Sequence, residues 1–267
     1  MKISVIGVGY VGLVTAAVLA ELGNDVMAAD VDRKKIDGLN KGIMPIFEPG
    51  LKEMVERNIS ENRLKFVSEN KKVIEHGDVI FICVGTPPKE NWEVELKYVE
   101  NVAMEIAHNM DSYKVIVHKS TVPVETGDKV RKIIKGNIRK NIGFDVVSNP
   151  EFLREGSAIE DTLHPDRIVV GSDSEKATGI MKKLYSQIKA PLIITNIKSA
   201  ELIKHASNAF LATKISFINS VARICELSGA DIEEVAEGMG HDKRISRHFL
   251  NAGIGYGGSC FPKDSQA

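Results

Sequence analysis

Apolar residues along this chain recur with two different periods. Short runs rich in Val and Ile predict strands at Lys2–Ile6, Asp25–Asp30, Leu64–Val67, Val79–Val84, Val115–His118, Asp145–Ser148, Arg167–Gly171 and Leu192–Thr195. Helical patterns lie between most of them, for example over Leu96–Asn109 and Glu175–Ile188. That alternation predicts an α/β fold, a Rossmann-like doubly wound and mainly parallel sheet with helices on both faces. No internal repeat or low-complexity stretch interrupts it. The last third changes character. Between Lys198 and Ser228 there is neither Gly nor Pro, and Leu202, Ala206, Ala209, Phe210, Phe217, Val221 and Ile224 fall near helical spacing. Gly229 supplies a C-terminal stop. A helix of about 30 residues is a rod of roughly 45 Å, long enough to offer a face to another subunit. A short helix over Asp231–Gly238 follows, and then a glycine-rich loop at Asn251–Asp264.

The N-terminal stretch Ile3–Ala20 carries no charge and follows Lys2, as a signal peptide or membrane span would. Gly7, Gly9 and Gly12 argue against both. Ile3, Val5 and Ile6 fit a strand, whereas Leu13, Ala16, Ala17 and Ala20 fit a helix, so strand, glycine turn and helix account for the stretch. With a formal net charge of -1 and dispersed Lys and Arg, nothing favours nucleic acid or an anionic membrane as partner. The three cysteines, Cys83, Cys225 and Cys260, are too few and too far apart for a disulfide framework or a zinc site. They fit a reducing compartment. The expectation is a cytoplasmic protein with no metal.

The first strand runs into Gly7-Val8-Gly9-Tyr10-Val11-Gly12. The first glycine permits a tight turn, the second lets the backbone approach a pyrophosphate, and the third lets helix and strand pack closely. The pyrophosphate would sit at the positive end of the helix starting near Tyr10. The context this motif requires is present: a strand before, a helix after, and Asp30 ending the second strand, 18 residues beyond Gly12. An acid there suits ribose hydroxyls and repels a 2′-phosphate, so NAD is favoured over NADP; Arg33, Lys34 and Lys35 weaken the preference slightly. Val84-Gly85-Thr86-Pro87-Pro88 and Lys119-Ser120-Thr121-Val122-Pro123 each follow a strand, where loops line the ligand crevice of such sheets. Either also fits a turn with capping hydroxyls.

Three further groups carry candidate chemistry. Glu151 and Glu155 in Asn149-Pro150-Glu151-Phe152-Leu153-Arg154-Glu155-Gly156 are four apart, so a helical turn would point both the same way. Such a pair can hold a water, or can equally mark a helix N-terminus. Lys204 and Asn208 are four apart on the long helix, a donor pair for an oxyanion or a sugar hydroxyl, or an ordinary polar stripe. In Gly255-Tyr256-Gly257-Gly258-Ser259-Cys260-Phe261-Pro262-Lys263-Asp264, a free thiol among glycines points away from core packing. Glycines such as Gly257 let a substrate come close. Lys263 or Lys204 nearby would raise the thiolate fraction. Cys83 in an apolar strand and Cys225 in a helix read as structural.

Together these segments resemble the UDP-glucose/GDP-mannose dehydrogenase family along nearly the whole chain. The matching stretches are VIGVGYVGL, the acid of AADVD, VGTPP, KSTVPV, NPEFLREGSAIED, HPDRIVVG, AELIKHASNAFLA and GIGYGGSCFPKD. The resemblance implies oxidation of a nucleotide-sugar C6 alcohol to a carboxylate with two NAD per turnover. It implies NAD contacts at Val11, Asp30, Lys35, Thr86, Thr121, Glu155 and Lys263, and a nucleophile at Cys260. Lys204, Asn208 and Asp264 fall on the polar catalytic set. Glu151 to Glu155, including Phe152 and Leu153, match the segment lining the sugar. Arg244 matches an arginine that reaches a nucleotide sugar bound by the partner subunit, so a homodimer through the long helix is expected.

The mechanism so implied has Cys260 capture an aldehyde as a thiohemiacetal whose oxyanion Lys204 and Asn208 hold. A thioester follows, hydrolysed by water that Asp264, Thr121 and Glu155 are candidates to position. The segments NPEFLREGSAIED and HPDRIVVG look closest to the UDP-glucose branch, with GDP-mannose the alternative. The expected division is an NAD-binding Rossmann-like domain at 1–197, followed at 198–267 by the long helix and the thiol loop. The family's C-terminal domain is not in this sequence, which reads as a fragment expected to bind NAD and turn over poorly. Two rivals remain: a Rossmann oxidoreductase making a single hydride transfer, which needs no Cys260, and a non-catalytic NAD-binding protein, which needs no joint presence of Cys260, Lys204, Asn208 and Asp264.

Overall fold

The computed structural model describes residues 1–90, 93–139, 142–256 and 261. Eight strands, β1 (Lys2–Ile6), β2 (Asp25–Ala29), β3 (Leu64–Val67), β4 (Val79–Ile82), β5 (Lys114–His118), β6 (Phe144–Ser148), β7 (Ile168–Ser172) and β8 (Leu192–Thr195), form one sheet in the order 3-2-1-4-5-6-7-8. All pairs are parallel except β6 with β7, which run antiparallel. Among the described residues ten helices fill the intervals: α1 (Tyr10–Glu21), α2 (Arg33–Leu39), α3 (Leu51–Ser60), α4 (Asn70–His76), α5 (Lys97–Asn109), α6 (Thr126–Asn137), α7 (Ala158–Leu163), α8 (Glu175–Leu184), α9 (Ile197–Ser228) and α10 (Ile232–Gly240). The strands follow the predicted ones to within two residues at each end.

The middle of the sheet, at β1, β4 and β5, is buried on both faces, which is why those strands read as nearly unbroken apolar runs. Ile3, Val5, Val26, Ala28, Val79, Phe81, Val115 and Val117 point into one core layer, with α1, α3 and α8. The other layer takes Ile6, Ala29, Ile80, Ile82, Ile116 and Val146 against α4, α5 and α6. Nine consecutive residues of α1, Gly12 to Ala20, are buried, so this helix has no polar side to show. That burial accounts for the uncharged N-terminal stretch. Among the described residues no helix is long and apolar enough to cross a membrane.

The chain divides into two compact units, residues 1–87 with 95–202, and residues 88–94 with 203–267. The first holds the sheet. The second contains most of α9 and has a small core of Ile218, Ala236 and Leu250 with Val221, Ile232 and Met239 against them. Gly229 ends α9 in the left-handed conformation, φ +80°, as the expected stop requires.

Candidate active site

The order of the sheet reverses between β1 and β4, and ligands of open α/β sheets bind outside the carboxyl ends of the strands at such a point. The glycine turn lies there, and each of its glycines has its own steric reason. Gly7 has φ +96°, and a Cβ on it would meet the Cys83–Val84 backbone at 2.8 Å. A Cβ on Gly12 would lie 1.8 Å from the Gly7 carbonyl oxygen. Around Gly9 a Cβ would have nothing within 4 Å, so the backbone there is open to a ligand's approach. Gly9 caps α1 without a side-chain hydrogen bond, which leaves the helix's first amides, Tyr10 and Val11 among them, for an anion.

Asp30 sits just past β2. Its carboxylate accepts from Val8 N (2.9 Å), Asp32 N (3.0 Å) and Lys35 Nζ (2.8 Å). Burial works against its charge, but the Lys35 ammonium and the two amides outweigh that and hold the carboxyl below its ordinary value. A carboxylate offers about four lone-pair sites, so acceptor capacity remains for ribose hydroxyls. An open glycine, a helix start with no side-chain cap and an ionised acid fit a dinucleotide.

The loops after β4 and β5 are neighbours. Thr86 Oγ1 donates to the Thr121 carbonyl (2.9 Å) and Ser120 Oγ to the Val84 carbonyl (2.7 Å); both threonines are buried. The 149–157 segment is a loop, not the helical turn that the Glu151–Glu155 spacing would allow, and α7 starts only at Ala158. Pro150 disfavours helical backbone at Asn149, and Asn149 is fully committed. It donates to the Val169 carbonyl (2.7 Å) and accepts from Tyr185 Oη (2.5 Å), while its amide donates to the His118 carbonyl (3.0 Å). The Glu151 carboxylate turns back to accept from Leu153 N (2.7 Å). The Arg167 guanidinium stacks over the Phe152 ring at 3.8 Å. Arg154 makes a bidentate pair with Asp161.

In the second unit, Lys204 and Asn208 stand one turn apart on α9, both buried. Arg244 is exposed and paired with Asp242 at 2.6 Å. Cys83 and Cys225 are buried, and burial pushes the Cys83 thiol up to about 12 despite Lys119 nearby. Gly257, Cys260, Lys263 and Asp264 lie outside the described residues.

Two buried acids to which the sequence reading gave no role organise these loops. Glu48 joins Tyr10 to Gly156 and Ala158. Glu201, in the first turns of α9, accepts from Glu125 N and Gly127 N (2.8 Å each) at the start of α6, and its carboxylate lies 3.2 Å from His118 Nε2. A single sequence gives no signal for either, because the partners lie 76 and up to 110 residues away. Glu201→Ala strands two amides and a histidine in the interior. It is expected to destabilise the chain by about 3 kcal/mol in urea unfolding; a loss below about 1 kcal/mol would mean those donors find other partners.

Sheet order, glycine turn and acid define a Rossmann-type dinucleotide-binding domain. The chain belongs to the UDP-glucose/GDP-mannose dehydrogenase family: residues 1–189 match its NAD binding domain and residues 198–267 its central domain. It is 54% identical, over its whole length and 58% of the relative's, to UDP-glucose 6-dehydrogenase TuaD of Bacillus subtilis. It is 50% identical to UDP-glucose 6-dehydrogenase of Rhizobium meliloti, covering 62% of that protein. Among solved structures it resembles a UDP-glucose dehydrogenase from Pyrobaculum islandicum (TM-score 0.97, 42% identity, all of this chain and 62% of that one). It also resembles the GDP-mannose dehydrogenase of Pseudomonas aeruginosa (TM-score 0.88, 36% identity, 99% and 62%). The chain thus spans about three fifths of the length of these relatives.

Proposed function

We propose that this chain serves the NAD-dependent oxidation of the C6 alcohol of UDP-glucose to UDP-glucuronate. The observation carrying this is identity of 54% and 50% along the whole chain to relatives named for that sugar, against 36% to the GDP-mannose enzyme.

When bound, NAD would supply the hydride acceptor. The first turn of α1 and Asp30 would hold it through its pyrophosphate and ribose, with Lys35, Thr86, Thr121, Glu155 and Lys263 as further contacts. Glu151 to Glu155 line the sugar. Cys260 adds to the aldehyde carbon, and Lys204 with Asn208 donates to the resulting oxyanion. Covalent capture keeps the aldehyde from escaping. Loss of the second hydride from C6 turns the Cys260 adduct into a thioester, and Thr121, Glu155 and Asp264 hold the water that hydrolyses it to the acid and the free thiol. The test is to incubate the protein with NAD and a panel of nucleotide sugars. The reading requires two NADH per sugar consumed, with UDP-glucose preferred. One NADH per sugar would point to a single-hydride dehydrogenase, and no turnover with NAD bound to a non-catalytic binder.

We further propose a cytoplasmic homodimer through α9. Phe210, Phe217 and Ile224 recur every seven residues and are at least half exposed, with Leu227 beyond them, which is the spacing of a helix-packing seam. Phe210→Lys with Phe217→Lys is expected to give a monomer by light scattering; an unchanged dimer mass would remove this face from the assembly.

A further inference from the structure

We propose that Glu48 is a positioning residue that ties the cofactor end of α1 to the sugar-lining segment, so that NAD binding orders residues 149–158. The proposal rests on the functional reading above. Glu48 is only 5% exposed, yet its carboxylate serves three donors from two distant parts of the chain. Oε2 accepts from Tyr10 Oη and from Gly156 N (2.9 Å), and Oε1 accepts from Ala158 N (2.8 Å). Tyr10 Oη lies 3.1 Å from the same Gly156 amide. One end of this cluster is the first residue of α1, where an anion would be held. The other is the residue after Glu155, at a reversal with φ +90° that only glycine adopts without strain, and then the first residue of α7.

The cluster is built to persist. Burial and donation to Glu48 push the Tyr10 hydroxyl up to about 12, so it stays a donor at neutral pH. Glu48 is itself fixed by the turn into α3, where its carbonyl accepts from Leu51 N (3.1 Å). Displacing Tyr10 at the helix start therefore moves the acceptor on which the loop's two amides depend. A ligand that orders one end lowers the freedom of the other, and such coupling has a measurable free energy.

The test is amide hydrogen exchange of peptides covering 149–163, with and without saturating NAD, alongside NAD affinity by calorimetry. In the unsubstituted chain NAD is expected to slow exchange at Gly156 and Ala158 about fivefold or more. In Glu48→Gln the NAD-dependent part of that protection is expected to vanish, with NAD affinity within about threefold. A merely structural role would instead raise exchange by the same factor with and without NAD, and would overturn the proposal. Should Glu48→Gln fail to fold, Tyr10→Phe carries the test: it keeps both amide bonds to Glu48 and cuts the link, so NAD-independent protection should persist and the NAD-dependent part disappear. If NAD binds the unsubstituted chain without slowing exchange there, only this proposal falls. If NAD does not bind at all, the functional reading falls and takes this one with it.

Discussion

Gly12→Ala is expected to abolish NAD binding and remove about 3 kcal/mol of stability, while Gly9→Ala, three residues earlier, is expected to lose affinity alone. The contrast follows from what a methyl group would meet. At Gly12 it would lie 1.8 Å from the Gly7 carbonyl oxygen and 3.1 Å from Cys83 Cβ. The first contact is with a backbone oxygen that cannot swing aside, so relief requires α1 to move off the turn that follows β1. That helix is buried along nine consecutive residues, and moving it disturbs the core layer shared by Leu13, Val14, Ala17 and the strands. For a domain of this size the loss corresponds to a fall of about 6–12 °C in Tm. Gly9 has ordinary backbone, φ -79° and ψ -165°, and open space around it. Alanine there leaves the fold within about 0.5 kcal/mol but occupies the position a pyrophosphate approaches, at a cost of about tenfold or more in affinity. Calorimetric titration with NAD and thermal melts of both variants check this. A Gly12→Ala chain that melts normally and binds NAD would show that the turn has slack that the distances deny.

The same packing explains what could be read from residue order. Strands buried on both faces are largely apolar, so Val79–Val84 and Val115–His118 stood out as runs, observed as Val79–Ile82 and Lys114–His118. Their ends were uncertain only where a residue such as Val84 or Lys114 is as suited to the loop as to the strand. The glycine turn was legible because each of its residues answers to a local constraint. The acids were not. Whether Glu151 faces a sugar or its own Leu153 amide depends on a loop whose course is set by Asn149, Tyr185 and Arg167. Spacing along a hypothetical helix carries no trace of those partners. Glu48 and Glu201 carry no local signal that sets them apart in a sequence that is 27% charged. Only the fold brings to them the amides of residues far along the chain, and those amides make burial of a carboxylate tolerable. Position in the chain therefore predicts well what backbone and core require, and poorly which polar side chain holds two loops together.

The other large effect is expected at Cys260. Of the three thiols, Cys83 and Cys225 are buried, and burial also pushes Cys83 up to about 12, so the fold shields both from a reagent. Alkylation should therefore modify one thiol quickly, at residue 260, and bound UDP-glucose should slow that reaction. This measurement needs no turnover and can be made on the chain as it stands. Cys260→Ser should eliminate the fast-labelled thiol. Because an unactivated hydroxyl is a far weaker nucleophile than a thiolate, the substitution should also lower uronate formation by at least about 10³-fold in a form of the protein that turns over. The two readouts separate the possible failures. Fast labelling at 260 that UDP-glucose leaves untouched would place the thiol away from the sugar. Protection by the sugar with undiminished acid production in Cys260→Ser would leave the thiol near the substrate while excluding it as the group that captures the aldehyde.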